Sequence, residues 1–264
     1  MGIGWEKLRG LRLRPFAAAG GRLARWSGSA ALDLLYPPSC AGCAADLDSV
    51  SDTPFCDRCL EQVEEFCGTN CARCGAPVAG GFRLVRCYRC EGTKLWFDET
   101  IALGAYEGPL RDWLLRLKHG RAEALAIALA DMIWTNFSER LAAIQPDVVV
   151  SLPMHWWRRL ARGTNSPDLL AERLAGHLRA PLAPQLLRRT RHTPPQSSLP
   201  PSARADNVRN AFAVRGGYHL NAAHVLLVDD ILTTGSTCSA AAKALKQAGA
   251  ARVVVVVVAR TLRH

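Results

Sequence analysis

Eight of the chain's ten cysteines stand as four Cys-x-x-Cys pairs: Cys40/Cys43, Cys56/Cys59, Cys71/Cys74 and Cys87/Cys90. The first two pairs recur as the last two with every position shifted by 31, and 12 residues separate the pairs in both halves. A Cys-x-x-Cys turn presents two sulfurs to one ion, and two such turns complete a tetrahedral thiolate site for zinc. Disulfides would need an oxidising compartment. The first thirty residues are basic, with Lys7, Arg9, Arg12, Arg14, Arg22 and Arg25, and carry no uninterrupted apolar core of a secretory signal. Paired thiols in a cytoplasmic chain therefore read as two structural zinc ions. The repeat favours sequential sites, 40/43/56/59 and 71/74/87/90; an interleaved pairing of first with third and second with fourth stays open. Four filled positions leave none for a reactive water, so these sites build structure or a partner platform. Gly75 sits where a tight knuckle favours positive φ. Cys67 and Cys238 fall outside the pattern and read as packing thiols.

The 264 residues divide accordingly. Residues 1–36 are a basic extension with a short helix near Ala30–Tyr36, 37–95 the cysteine module, and 96–264 a separate domain. Apolar residues make up 49% and charged residues 21%, an ordinary globular balance. The longest strongly apolar run, Val253 to Ala259, is far short of the ~20 residues of a membrane span. The formal charge of +10 invites a nucleic-acid partner. Two tetrathiolate zinc sites would lower it to about +6, and a phosphate-rich ligand needs basic groups too, so charge alone does not decide.

Beyond residue 96 the pattern alternates between strand and helix. Thr100–Tyr106 and Asp147–Leu152 read as strands, and Leu110–Leu117 and Ala122–Leu141 as helices of 3.6 periodicity. Ser166-Pro167-Asp168 opens a helix to about Leu178. Pro194–Pro201 is a loop. His224–Val228, Ser236–Gln247 and Arg252–Ala259 form a strand–helix–strand unit, which implies a parallel sheet, and its valine-rich strands imply cover on both faces.

Chemistry concentrates after the strand Val225–Val228. Asp229 and Asp230 are followed by Thr233, Thr234, Gly235, Ser236 and Thr237, which run into a helix. Backbone N–H groups of such a turn, with the helix N-terminus, cradle a phosphate. The two carboxylates suit sugar hydroxyls or a magnesium shell. GxxxxGK[ST] is absent, which excludes a Walker loop.

This segment closely resembles the binding signature for phosphoribosyl pyrophosphate (PRPP) in type I phosphoribosyltransferases. The resemblance implies that Asp229 and Asp230 contact the ribose 2′ and 3′ hydroxyls, that Thr233 to Thr237 enclose the 5′-phosphate, and that magnesium accompanies PRPP. Transferases for 6-oxopurines carry aspartate where this chain has Thr233, which argues against hypoxanthine or guanine as acceptor. Ser151-Leu152-Pro153-Met154-His155, Arg158-Arg159-Leu160, Arg162-Gly163-Thr164-Asn165 and Arg189–Gln196, followed by Leu199, Arg204, Asn207 and Ala211-Phe212, narrow the likeness to the ComF family of competence-associated proteins. With the cysteine module, that likeness spans about Leu32 to Arg260. It departs at Ser151, where the family usually has Val or Pro, at Thr164, where it has an aromatic, and at Ser166, where it often has Gln. The implied fold is α/β: a type I phosphoribosyltransferase-like parallel sheet flanked by helices, preceded by a double zinc ribbon.

Leaving pyrophosphate carries several negative charges, and Lys118, Arg158, Arg159 and Arg162 are candidates to meet them. The Arg189–Arg204 segment resembles the mobile loop that closes over PRPP, with Arg191 and Arg204 as closure candidates. His119, His155 and His192 have no base partner in sequence, so no catalytic acid or base is assigned. Trp156-Trp157 reads as a packing seat, with base stacking as its alternative. The expected function is phosphoribosyl transfer from PRPP to an unidentified acceptor. The alternative is a non-catalytic protein that binds PRPP or single-stranded DNA and serves the DNA-uptake machinery.

Overall fold

The computed structural model describes residues 39–47, 53–64, 70–78, 87–119, 122–154, 165–191, 204–216 and 218–261. The expectations for residues 1–36, Cys67, the Trp156-Trp157 segment and the 194–201 loop lie outside these residues.

Helix α1 (Asp57–Glu64) belongs to the first cysteine repeat. Strand β1 (Glu99–Ala105) opens the larger domain, followed by α2 (Gly108–His119), α3 (Glu123–Ile144), β2 (Val148–Ser151) and α4 (Ser166–Leu178). Then come β3 (Leu187–Arg189), α5 (Arg204–Asn207), β4 (Phe212–Val214), β5 (His224–Leu232), α6 (Ser236–Gln247) and β6 (Arg252–Arg260). The main sheet runs β1-β6-β5-β2, and every pairing in it is parallel. Beyond β2, Leu182 adds a parallel bridge to Val149, so the chain leaves β2 away from β5. β3 and β4 form a separate antiparallel pair.

The valine run explains why the sheet is two-faced. Side chains alternate along a strand, so Val253, Val255 and Val257 face α6 with Val225 and Leu227. Val254, Val256 and Val258 join Leu226 and Val228 against α3 and α4. All six β6 valines are fully buried, each worth about 1.5 kcal/mol or more of transfer free energy.

This topology creates a cleft. From β2 the chain moves outward through α4, whereas from β5 it moves the other way through α6 to β6. Right-handed crossovers in opposite directions put those helices on opposite faces. The carboxyl ends of β2 and β5 therefore flank the switch point, where open α/β sheets bind ligands. β5 is longer than the sequence suggested: it continues through both aspartates, with Asp229 opposite Val257 and Leu232 opposite Arg260. The second strand of a parallel pair sustains polar residues there that alternation alone would not assign to a strand.

Candidate functional site: two cysteine tetrads and a phosphate loop

The cysteines converge as two tetrads, Cys40/Cys43/Cys56/Cys59 and Cys71/Cys74/Cys87/Cys90, with all sulfurs of each within 4.8 Å of one another. This is the sequential pairing, and it removes the interleaved one. Tetrahedral zinc with Zn–S near 2.3 Å requires S···S edges of about 3.8 Å. Cys43 and Cys56 lie 3.7 Å apart, Cys74 and Cys87 3.6 Å, and Cys71 and Cys90 3.9 Å. The donor set and its spacing fit zinc.

The repeat extends to the backbone. Ala44 N–H donates to Cys40 O at 2.8 Å, and Gly75 N–H to Cys71 O at 2.9 Å. Cys40 N–H in turn donates to Ala45 O, and Cys71 N–H to Ala76 O, both at 2.7 Å. The turn demands positive φ: +60° at Ala44 and +68° at Gly75. Glycine meets that demand in the second knuckle, and alanine accepts strain in the first. The local field favours unequal thiols. Burial raises the Cys40 pKa, but backbone N–H groups of Cys56, Cys43 and Gly42 outweigh it and bring the pKa to about 6. Cys74 is pushed above the ordinary thiol range by burial, with the charge of Cys71 adding to it. A divalent cation at each centre would supply the charge that holds all four sulfurs as thiolates.

Both knuckles pack on the larger domain. The first meets α2, where Trp113 Nε1 donates to Gly42 O at 3.0 Å and Trp113 stacks on Phe55 at 4.8 Å. The second meets β1: Thr100 N–H donates to Ala72 O at 2.8 Å and Thr100 Oγ1 to Arg73 O at 3.0 Å.

At the end of β5, Asp229 is buried and Asp230 is half-buried. Asp230 N–H donates to Asp229 Oδ1 at 2.9 Å. Burial, reinforced by the charge of Asp230, raises the Asp229 pKa well above the usual carboxylate range. Cys238, read from sequence as packing only, lies with Sγ 3.6 Å from Asp229 Oδ2. Gly235 adopts φ +80° as the N-cap of α6 and has no side chain to cap it, while Thr234 Oγ1 accepts from Ser236 N–H at 3.3 Å. The Thr234 and Ser236 hydroxyls lie 2.8 Å apart beside it. Thr233 and Thr237 are half-exposed on the same turn. The loop thus brings two carboxylates, the Thr234 and Ser236 hydroxyls and the N-terminus of α6 to one end of the sheet, an arrangement suited to a phosphorylated sugar.

Across the switch point, Ser151 Oγ donates to Asp168 Oδ1 at 2.5 Å, and Asn165 Nδ2 donates to the same oxygen at 2.9 Å. Ser151 and Asn165 are buried. The serine at 151 is thus matched to an acceptor, a partnership visible only once β2 and α4 are packed. Arg191, at the start of the expected closing segment, donates from Nη1 to Arg209 O at 2.9 Å. Arg158, Arg159 and Arg162 lie outside the described residues, as do the side chains of Lys118 and Arg204. Sequence reasoning missed Arg260. Its Nε donates to Cys74 O and its Nη1 to Leu232 O, each at 3.0 Å. No local pattern marks it, because its role comes from lying opposite the last residue of β5 in the sheet register.

The parallel sheet with helices on both faces, joined to two cysteine knuckles, defines a phosphoribosyltransferase-type α/β protein with a double zinc ribbon. Family models agree: a double zinc ribbon domain matches residues 31–91 and a phosphoribosyl transferase domain matches residues 169–263. The chain is 32% identical over 232 residues to the DNA utilization protein YhgH of Salmonella typhimurium, covering 87% of this chain and 100% of that protein. It is 27% identical to competence protein F of Haemophilus influenzae (80% of this chain, 91% of that one). It is 26% identical to competence protein ComFC of Bacillus subtilis (76% and 81%). The chain belongs to the ComF family.

Proposed function

We propose that this protein binds PRPP with magnesium at the Asp229–Thr237 loop and transfers the phosphoribosyl group to an acceptor that is not a 6-oxopurine. The observation that carries the reading is the loop's composition and location: paired carboxylates, then hydroxyls around Gly235 at the N-terminus of α6, beside a topological switch point. In the reaction, an acceptor lone pair forms a bond to ribose C1 as the C1–O bond to pyrophosphate breaks. Pyrophosphate leaves with the bonding electrons as its magnesium complex, and an N–H acceptor then loses its proton to solvent. Asp229 and Asp230 hold the ribose hydroxyls, and the 233–237 turn holds the 5′-phosphate. Lys118, Arg158, Arg159 and Arg162 meet the charge on pyrophosphate. The 189–204 segment, with Arg191 and Arg204, excludes water that would otherwise capture C1. The protein acts in the cytoplasm.

Calorimetry of PRPP with magnesium against the parent protein and an Asp229→Asn/Asp230→Asn variant tests the reading. Binding to the parent that is lost from the variant supports it, and equal affinity removes it.

A second reading has its own observation. A groove of about 390 Å³ runs from Thr234 and Ser236 along α6, lined by Lys94, Trp96, Arg209 and Lys243. Its basic and aromatic lining suits single-stranded DNA, in line with the names of the relatives. DNA binding that weakens with salt and survives loss of both aspartates would favour a non-catalytic role in DNA uptake.

A further inference from the structure

The second cysteine knuckle and the Asp229–Thr237 loop are far apart in sequence but share two mechanical links. The first is Arg260, the last residue of β6. In the parallel register it lies between Ala105 of β1 and Leu232 of β5. Its guanidinium spans outward from that position. Nε donates to the carbonyl of Cys74, a member of the second tetrad, and Nη1 donates to the carbonyl of Leu232, where the loop begins. Nη1 also lies 3.1 Å from Thr261 O, so the fork is fixed from three sides. Only a planar guanidinium presents donors in this geometry; a lysine ammonium cannot reproduce the fork.

The second link is apolar. Leu95 packs on the buried sulfurs of the second tetrad and also on the sheet cluster that contains Phe97. Its carbonyl accepts from Arg73, the residue before Cys74, at 2.6 Å. Leu95 Cδ2 and Phe97 Cζ each lie 3.5 Å from where a side chain on Gly235 would begin. The positive-φ glycine at the centre of the loop therefore rests on a floor that the second knuckle holds up. Among the described residues, the first tetrad's hydrogen bonds to the larger domain run instead to α2, through Trp113 and Arg116.

We infer that the second cysteine site is the support of the phosphate loop, and that Arg260 is the positioning residue that transmits its order to Leu232–Thr237. Metal at Cys71/Cys74/Cys87/Cys90 fixes the Cys74 carbonyl, Arg260 fixes the Leu232 carbonyl against it, and the loop is held in its binding shape before any ligand arrives. The ligand part of this inference rests on the PRPP reading; the coupling itself does not.

The experiment is hydrogen–deuterium exchange on the full-length zinc-loaded protein, with zinc content and PRPP–magnesium affinity measured on the same samples. In Arg260→Lys, amides of 232–237 exchange at least tenfold faster while those of 225–228 stay protected, and PRPP affinity falls about tenfold, as for loss of a charged hydrogen bond. In Arg116→Lys, which alters the first knuckle's contact instead, exchange at 232–237 does not change. Removing zinc from the parent with graded chelator speeds exchange at 232–237 in step with loss of order at 87–92. Unchanged exchange at 232–237 in Arg260→Lys overturns the inference. So does a loop that stays protected after the second site has lost its metal, an arm that decides the matter if Arg260→Lys fails to fold. A parent protein that binds no PRPP removes the PRPP reading, and the exchange arms still decide the coupling.

Discussion

Trp113 holds Gly42 from across the join between the first cysteine knuckle and α2, its indole N–H 3.0 Å from the glycine carbonyl. The contact leaves no room for a side chain. A Cβ at position 42 would lie 2.5 Å from Trp113 Cζ2 and 3.0 Å from the sulfur of Cys59. Gly42→Ala should therefore cost about 1–3 kcal/mol, the usual range for overpacking, and should weaken zinc retention at the first site only. Urea unfolding and chelator-release rates measure the two effects, and an unchanged midpoint would disprove the packing argument.

The positive-φ positions of the two knuckles give opposite expectations for reciprocal substitutions. Ala44→Gly relieves a left-handed alanine at φ +60° and should stabilise by about 1 kcal/mol. Gly75→Ala adds that strain and also places a methyl 2.7 Å from Thr100 Cγ2, so it should destabilise by more than the first change gains. Thermal melts of both variants are the check. A destabilised Ala44→Gly would mean the two turns are not equivalent.

Metal content follows from the tetrads. The purified protein should carry two zinc ions, and Cys40→Ser and Cys71→Ser should each lose one. Loss of both ions from Cys71→Ser alone would show that the first knuckle depends on the second, contrary to their separate contacts with α2 and β1.

Asp229 gives a pH expectation. Its folded-state pKa is raised by burial and by the charge of Asp230. Below the ordinary carboxylate value of about 3.9 both folded and unfolded chains are protonated and there is no penalty. As pH rises, the unfolded chain releases its proton first, and folding loses stability until the raised value is passed. Asp229→Asn keeps an acceptor for Asp230 N–H and removes the charge. Its stability advantage over the parent should be larger at pH 8 than at pH 5, compared in urea without magnesium. An advantage that shrinks with pH would reverse the sign.

Much of this architecture was legible in residues. The bounds of α6 matched because Gly235-Ser236 and Gly249 punctuate it in backbone terms, with φ of +80° and +100° at the two glycines. Spacing showed that the eight thiols form two sites and favoured the sequential pairing, but the choice over the interleaved one came from the packed knuckles. β3 and β4, three residues each, were not legible because so short a run carries no period. The reach of β5 to Leu232 and the role of Arg260 depend on register between β5 and β6, which no local pattern encodes. Cys238 reads in sequence as a packing thiol because its carboxylate neighbour, Asp229, lies nine residues earlier, and their contact is set by the turn that joins strand to helix.

The last expectation concerns whether chemistry follows binding. A transferase must hold PRPP, exclude water, and offer a nucleophile to C1. The 229–237 turn suits the first task, and the resemblance assigns the second to the segment that begins near Arg191, which is tied to the Arg209 carbonyl. Closure acts mainly along the reaction path, so Arg191→Ala and Arg204→Ala should lower turnover more than they lower PRPP affinity. Thr233 stands where the resemblance puts the purine-reading aspartate of 6-oxopurine enzymes, so hypoxanthine and guanine should not serve as acceptors. Pyrophosphate release from PRPP and magnesium, screened over nucleobases, aromatic acids and amines, is the measurement. Robust turnover of hypoxanthine or guanine would refute the acceptor argument. Release no faster than PRPP hydrolysis with every acceptor would leave a binding protein, and the groove lined by Lys94, Trp96 and Lys243 would then be the place to seek its DNA.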